Sequence, residues 1–430
     1  MFTTLKNAFK VKNLRKKLIM TMGFILLFRV GSWLPIPGIN SQFYQEIANN
    51  DFLGLLSGLS GGALANGAFL ALGVAPYISA SIIMQLLTVA IPSLERLSKS
   101  GEEGKKKITK YTKYTALFLA TAQAVGIVLT FGATGIDGTL FGASAPLWIT
   151  GAFVALVLVA GAMFTYWLGE KITEVGIGNG LSLLIFVGII ASASAALVNS
   201  ITIAFTSNIN ELWNIGLFFG AVVLIFGLIV FIDLSERKIP VQYAKQIKGR
   251  KMYGGQKTFI PIRVNGSGVL PIIFSLSIIA FPQLLSSIFW PNSQFFVWYS
   301  RNLGAGTPIY SVLVAVLILF FAYFYSQISF NPADISKQVQ QNGGFIPGIR
   351  AGKPTADYLR RVSKKITLFG ALFLAFIALV PTLIFTQLDS GMLIGAFSAT
   401  GMLIVVSVAL EFNRQLEAQM LMQNYKGFLK

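Results

Sequence analysis

A run of 40 residues without a charged side chain, 52–91, constrains the fold of this chain more than any other stretch. A hydrocarbon core of roughly 30 Å needs only about 20 helical residues, so one straight helix cannot use the whole run. Four glycines between 58 and 67 weaken a helix in the first part, and Gly73 with Pro76 restricts where a helix begins in the second. We predict a short re-entrant half-helix followed by a full span. Irregular backbone at membrane depth is tolerated only where protein buries it or where it lines a water-filled cavity, so the run predicts a pore or a binding cavity.

Ten apolar stretches are long enough to cross a membrane as helices. The chain also has a mean hydropathy of +0.70 and only 12% charged residues, which is typical of a polytopic membrane protein. We therefore predict an all-α membrane protein with ten transmembrane helices. The predicted spans are residues 18–34, 72–90, 114–131, 147–168, 181–204, 213–232, 269–289, 309–327, 366–386 and 392–410.

Basic residues are distributed very unevenly between the two sides of these spans. Of the 34 Lys and Arg residues, 32 fall in the two tails and in alternate connections, and the exceptions are Arg29 and Arg301. The positive-inside rule then predicts that both termini and the long loops are cytoplasmic. Arg29 lies inside the first span, where we expect it to snorkel or to pair rather than to mark a site. The basic tail before this span imitates a signal peptide, but no small-residue cleavage site follows, so we expect it to be retained.

The composition excludes several function classes. The chain has no cysteine and no histidine, which excludes disulfides and thiolate chemistry and removes the commonest metal ligand and general base. We predict no catalytic residue, no metal site and no cofactor. All 16 carboxylates fall in loops or at span ends, which weighs against an ion-coupled transporter of a small solute. That alternative stays open because backbone carbonyls can also bind sodium, whereas a membrane enzyme has little support.

Two loops on the basic side, 233–268 and 328–365, are too long to be simple turns. The first alternates apolar and polar residues, in KIPVQYAKQI and KTFIPIRVN, around a turn at 249–255, which predicts a β-hairpin-like projection. The second has a Gly- and Pro-rich turn around Arg350. Any single Lys there is explained by topology alone. As clusters, the charges offer a basic face suited to ribosomal RNA or to an acidic motor protein.

Four segments carry a resemblance to a known family. They are PYISASIIMQLL with the glycine-rich stretch before it, WLGEKITEVGIGNGLS (167–182), IRVNGSGVLPIIF (262–274) and FNPADISKQVQQNGGFIPGIRAGKPT (330–355). In this order, and with ten spans, they resemble the SecY family, the channel-forming subunits of the bacterial Sec protein translocase. The match covers essentially the whole chain. The expected function, export of unfolded polypeptides through the plasma membrane and lateral release of hydrophobic segments, comes from this resemblance.

The resemblance implies two five-helix halves, 1–200 and 213–430, which are pseudo-symmetric and inverted, surround a central pore and are hinged at 201–212. It implies a plug at about 55–67, for which the matching residues are Leu56, Ser57, Gly58, Leu59, Ser60, Gly61, Gly62, Ala63 and Leu64. It also implies an aliphatic pore ring, at Val74, Ile78, Leu181, Ile185, Ile273 and Ile404. Residues 74/78 and 181/185 are spaced to share a helix face. Such a ring excludes ions by dewetting when it is empty, yet offers a passing peptide no strong site.

The family also opens sideways towards lipid, at a seam between spans two and three and spans seven and eight. Gln85, Gln123 and Asn265 are placed to hydrogen-bond across that seam, with ordinary helix–helix contacts as the equal alternative. Arg350 matches a loop arginine that engages the cytosolic partner, and Arg250 and Lys251 lie near the tip of the other loop. The sequence reads GIRAG where the family often has GIRPG.

The implied partners are the small subunits SecE and SecG, the SecA motor, the ribosome, signal sequences, nascent polypeptides and the lipid bilayer. The sequence contains no GxxxxGK[ST] motif for a nucleotide, so the resemblance assigns the energy source to a partner.

Overall fold

A computed structural model describes most of the chain. The described residues are 2–39, 57, 60–136, 146–207, 211–243, 245–248, 251–254, 257–266, 268–289, 293–304, 307–387 and 399–428.

The described chain is mainly helical. The helices are α1 (Phe2–Lys10), α2 (Lys12–Gly31), α3 (Ala75–Ala90), α4 (Pro92–Lys99), α5 (Glu102–Gly135), α6 (Leu147–Val175), α7 (Gly180–Ser207), α8 (Glu211–Leu234), α9 (Leu270–Phe289), α10 (Gln294–Leu303), α11 (Pro308–Ser329), α12 (Pro332–Gln341), α13 (Lys353–Gln387) and α14 (Ala399–Phe428). The strands are β1 (Glu236–Tyr243), β2 (Lys245–Lys248), β3 (Lys251–Gly254), β4 (Lys257–Arg263) and β5 (Gly344–Phe345).

Six helices in the described part of the chain are long and apolar enough to cross a membrane, namely α5, α6, α7, α8, α11 and α13. The pair α3 and α4, bent by 101° at Ile91, makes a seventh if it counts as one span. Ile91 precedes Pro92 and is extended, as a residue before proline prefers, which explains the bend. The other three predicted spans overlap α2, α9 and α14, which do not meet the same criteria over their described residues. Residues 392–398 of the last span lie outside the described part of the chain. The chain is thus an all-α, multi-pass membrane protein, and the count of ten spans stays a prediction.

The uncharged run 52–91 divides into two parts. Residues 60–74, which we call the turn segment, form turns, and α3 begins directly after them with Pro76 in its first turn. The predicted half-helix therefore does not extend into residues 60–74, none of which is helical. Gly61, Gly62, Gly67 and Gly73 adopt positive φ, a conformation that favours glycine and ends helical geometry. Ser57 is helical, and Leu56, Gly58 and Leu59 lie outside the described residues.

The chain groups into two compact units. The first comprises Met1–Ile215, Ala280–Ala305 and Asp389–Lys430. Its apolar core joins the turn segment to α5 and α6, through Leu64, Leu72, Ala124 and Leu158 among others. Helices α3, α5, α6 and α7 pack in sequence, each against the next, and α14 packs on α7.

The motif GIGNG connects α6 to α7 in this unit. Thr173 Oγ1 accepts a hydrogen bond from Gly180 N at 2.8 Å, and Asn179 Oδ1 accepts one from Leu181 N at 3.1 Å. A side chain at Gly180 would collide with the backbone of Gly169 and lie 2.7 Å from Ile172 Cβ. The glycines thus allow α6 and α7 to turn back on each other within a few residues.

The second unit comprises Gly216–Ile279 and Gly306–Leu388. The loop 233–268 forms the predicted hairpin, with β1 antiparallel to β4 and β2 antiparallel to β3. The sequence did not reveal that the other loop adds a strand, since β5 pairs with β1 and gives the order β4-β1-β5. Ile239, Val241, Ile346 and Leu359 are buried together beneath this sheet. The two long loops are therefore one packed body.

The predicted hinge 201–212 falls mostly within helices. Helix α7 extends to Ser207 and α8 begins at Glu211, while residues 208–210 lie outside the described part of the chain. The division into halves stays a prediction.

We expect Gly161→Ala to destabilise the first unit, because a Cβ at Gly161 would collide with the carbonyl oxygen of Phe69. Alanine adds about 1 kcal/mol of helix propensity, but overpacking of this kind costs about 1–3 kcal/mol. The midpoint of thermal unfolding in detergent should fall by a few degrees. Gly220→Ala is the matched control, since a Cβ there meets nothing within 4 Å. Equal midpoints for the two variants would contradict this account of the packing.

Candidate functional site

The first residues of the turn segment lie close to elements that carry predicted pore-lining residues. A Cβ at Gly73, the residue before Val74, would lie 3.2 Å from Ser60 Cβ. A Cβ at Gly61 would lie 3.1 Å from the Cα of Gly188 on α7. Gly188 follows Ile185 by three residues and so shares a face with it. Ser60 and Gly61, in the described part of the predicted plug, thus approach the residue before Val74 and the helix that carries Ile185.

The predicted ring residues of the first unit differ in their surroundings. Val74 and Ile185 are buried and Ile78 is half-buried. The side chain of Leu181 lies against α6, since its Cγ is 2.8 Å from the Cβ position of Gly169. Ile404 is buried on α14, the helix that packs on α7. Ile273 belongs to the second unit and is half-buried on α9. Whether these six side chains form one ring stays a prediction.

Arg29 contacts the turn segment directly, a contact that sequence reasoning missed. Its Nη1 donates a hydrogen bond to Gly61 O at 3.3 Å, and its Cζ lies 5.7 Å from the ring centre of Trp33. The sequence analysis expected Arg29 to snorkel or to pair, but it did not identify Gly61 as the partner. Every residue has a backbone carbonyl, so the sequence does not indicate which one Arg29 contacts. The one available signal is the glycine at position 61, whose positive φ accompanies the close approach.

The three polar residues predicted at a lateral seam make local contacts. Gln85 Nε2 donates to Ser81 Oγ on the same helix at 3.4 Å. Gln123 Oε1 is buried and has no hydrogen-bond partner in the described structure, and α5, which carries it, packs on α3, which carries Gln85. Asn265 Nδ2 donates to Asp233 Oδ1 at 2.9 Å within the second unit. Their role in a gate stays a prediction.

An ion pair and two aromatic contacts together link three helices of the first unit. Lys113 Nζ on α5 lies 2.8 Å from Glu170 Oε1 on α6 and 5.3 Å from the centre of the Tyr166 ring. Tyr166 in turn stacks on Tyr77 of α3, with ring centres 4.5 Å apart. This chain of contacts connects α3, which carries Ile78, to a charged pair whose two side chains are each more than one-third exposed.

Arg350 occupies an exposed turn that is fixed from beneath. Buried Thr355 donates from Oγ1 to Arg350 O at 2.8 Å, and buried Ser336 donates from Oγ to Gly352 O at 2.7 Å. Gly348 and Gly352, which flank Arg350, have positive φ. The turn therefore presents the guanidinium from a defined backbone. Arg250 lies outside the described residues, and Lys251 is described only as the first residue of β3.

The family model for SecY matches residues 68–413 of this chain. A protein translocase subunit SecY from Streptomyces coelicolor is 42% identical over 445 residues, and the alignment covers 100% of both chains.

Solved structures share the fold. One concerns the plug domain of SecY, which stabilises the closed state of that translocation channel and maintains a membrane seal; it is 18% identical, with a TM-score of 0.65 and coverage of 94% of this chain and 92% of that one. Another is Sec61 in the canine ribosome–channel complex, with 19% identity, a TM-score of 0.64 and the same coverage. At these identities the likeness establishes the fold alone.

We expect Thr355→Val to loosen the Arg350 turn, because valine keeps the shape of threonine but cannot donate to Arg350 O. The loss of one such hydrogen bond costs about 1 kcal/mol, or roughly a fivefold rise in local opening. Limited trypsin digestion, read by mass spectrometry, should show faster cleavage after Arg350. Thr115→Val, which removes a helical bond to Tyr111 O elsewhere, should leave that rate unchanged. An unchanged rate in Thr355→Val would show that this bond does not fix the turn.

Proposed function

Because this chain belongs to the SecY family, we infer that it is a protein-conducting channel subunit that moves unfolded secretory polypeptides across the bacterial plasma membrane. It also releases hydrophobic segments sideways into the bilayer. The chain has no catalytic turnover of its own in this proposal, and both termini face the cytoplasm. The small-solute transporter that the sequence left open is not favoured.

The observation that carries the proposal is the position of Ser60 and Gly61 beside Gly73, the residue before Val74, and beside Gly188 on the helix that carries Ile185. An aliphatic ring made of these residues, Ile78, Leu181, Ile273 and Ile404 would exclude ions by dewetting, and the segment 55–67 would close it as a plug. Support for the plug comes from the related SecY structure, in which the plug domain maintains the seal of that channel.

The packed body made by loops 233–268 and 328–365 is the proposed docking surface for cytosolic partners. It carries Arg350 on a fixed turn, and 15 of the 34 basic residues belong to these two loops. A basic surface fits the phosphates of ribosomal RNA and the acidic face of a motor such as SecA. Sec61 in the canine complex is bound to a ribosome, which supports the first partner. SecE and SecG complete the proposed membrane complex.

Translocation of a secretory precursor tests this function. Vesicles that contain the chain, SecE, SecG and SecA should protect the precursor from added protease in the presence of ATP. Arg350→Glu should reduce protection at least tenfold, because it reverses the charge on the docking turn. Arg301→Glu makes the same charge change in the only basic residue between spans seven and eight and should leave protection unchanged. Absence of protection with the wild-type complex, given active motor, would overturn the proposed function.

We expect the double variant Ile78→Asn, Ile185→Asn to raise the resting ion conductance of the channel in planar bilayers, because polar side chains keep a narrow pore wet. The variant Ile78→Leu, Ile185→Leu preserves aliphatic character and should keep the low conductance of the wild type. Equal conductance in all three proteins would remove Ile78 and Ile185 from the seal.

A further inference from the structure

We propose that Arg29 is a positioning residue that anchors the turn segment in the closed channel through the carbonyl oxygen of Gly61. The contact joins the first predicted span to the predicted plug within one compact unit. It is a single side-chain bond between an arginine of α2 and a backbone that is not helical.

The geometry around Gly61 leaves little room for another arrangement. A Cβ at this position would lie 2.7 Å from Arg29 Nη1 and 3.1 Å from Gly188 Cα. Gly61 is therefore enclosed between α2 and α7, and its φ of +73° is one that other residues rarely adopt. The next residue, Gly62, has a φ of +83° but no atom within 4 Å of its Cβ position. The close approach is thus specific to Gly61.

The chemistry of the span explains why an arginine serves this purpose. A guanidinium inside a span needs partners, because isolation in hydrocarbon is costly. Carbonyl oxygens in non-helical backbone likewise need donors where protein surrounds them, and Gly61 is buried. Gly61 O and the ring face of Trp33 both lie beside the Arg29 side chain. Movement of the turn segment away from α2 would break the bond to Gly61 O and leave the cation without that acceptor.

The inference rests on the proposed channel function, in which the segment leaves its closed position during transport. Removal of the anchor should make that departure easier. A signal sequence that binds weakly can then displace the segment, so Arg29→Leu should gain activity towards precursors with a defective signal sequence. A variant that merely misfolds should instead lose activity.

The rate of cysteine labelling tests the contact between Arg29 and Gly61 without any transport. The chain has no cysteine, so Ser60→Cys introduces a single thiol at a site that is only 2% exposed. We expect slow reaction of this thiol with a soluble maleimide in the otherwise wild-type complex. Arg29→Leu should raise the rate about tenfold, which corresponds to about 1.4 kcal/mol. Leucine also makes the span more apolar, so failure to insert does not explain faster labelling.

Two control pairs separate the anchor from general loosening. Gly61→Ala should accelerate labelling as much as Arg29→Leu, while Gly62→Ala, with similar backbone strain but no contact, should accelerate it less. Arg29→Lys keeps a cationic donor and should restore part of the slow rate.

Equal labelling rates in the wild type and Arg29→Leu would overturn the anchor. If labelling depends on Arg29 but the wild-type complex transports no precursor, the anchor stands and the proposed channel function fails. If Arg29→Leu labels faster but shows no gain with defective signal sequences, the contact is structural and the proposed role in the closed channel is wrong.

Discussion

The backbone groups of the turn segment must find hydrogen-bond partners inside a membrane protein, and the first unit is arranged around this requirement. Ile36 N donates to Gly67 O at 2.9 Å and Phe69 N donates to Leu34 O at 2.8 Å, so the chain leaving α2 supplies the partners. Gly161 on α6 permits the carbonyl of Phe69 to approach closely. This non-helical backbone is thus stable because two neighbouring elements enclose it and satisfy or accommodate its polar groups.

A similar dependence on a distant partner shapes the second unit. Strand β5 contains only two residues, yet its pairing with β1 attaches one long loop to the other. The apolar side chains beneath the sheet come from both loops, including Val241 and Ile346. Arg350 then lies on the surface of a body with its own core. A partner can therefore recognise the position of this positive charge as well as its sign.

The sequence predicted what depends on local chemistry. Pro76 predicted where α3 begins, and the alternation around 249–255 predicted a hairpin, in which β1 pairs with β4. The apolar stretches predicted an all-α membrane protein, and the family resemblance supplied the channel function. What the sequence could not supply were contacts between distant side chains and backbone, such as Asn265 with Asp233 or Leu181 with Gly169. A backbone carbonyl is present at every residue, so no pattern distinguishes the one that an arginine reaches.

The turn segment is held unequally along its length, and this bears on which part of it can move. Its first part, from Ser60 to Asn66, has Leu64 as its one large apolar residue, and its bonds to other elements include the one from Arg29. Its second part contributes Leu70, Leu72 and Val74 to the buried interior. Each large apolar side chain exposed to water costs about 1.5–3 kcal/mol. Release of the first part exposes one buried side chain of this kind, whereas release of the second exposes three and also the half-buried Phe69. The energetic boundary falls near Gly67, which is where the family resemblance ends the plug.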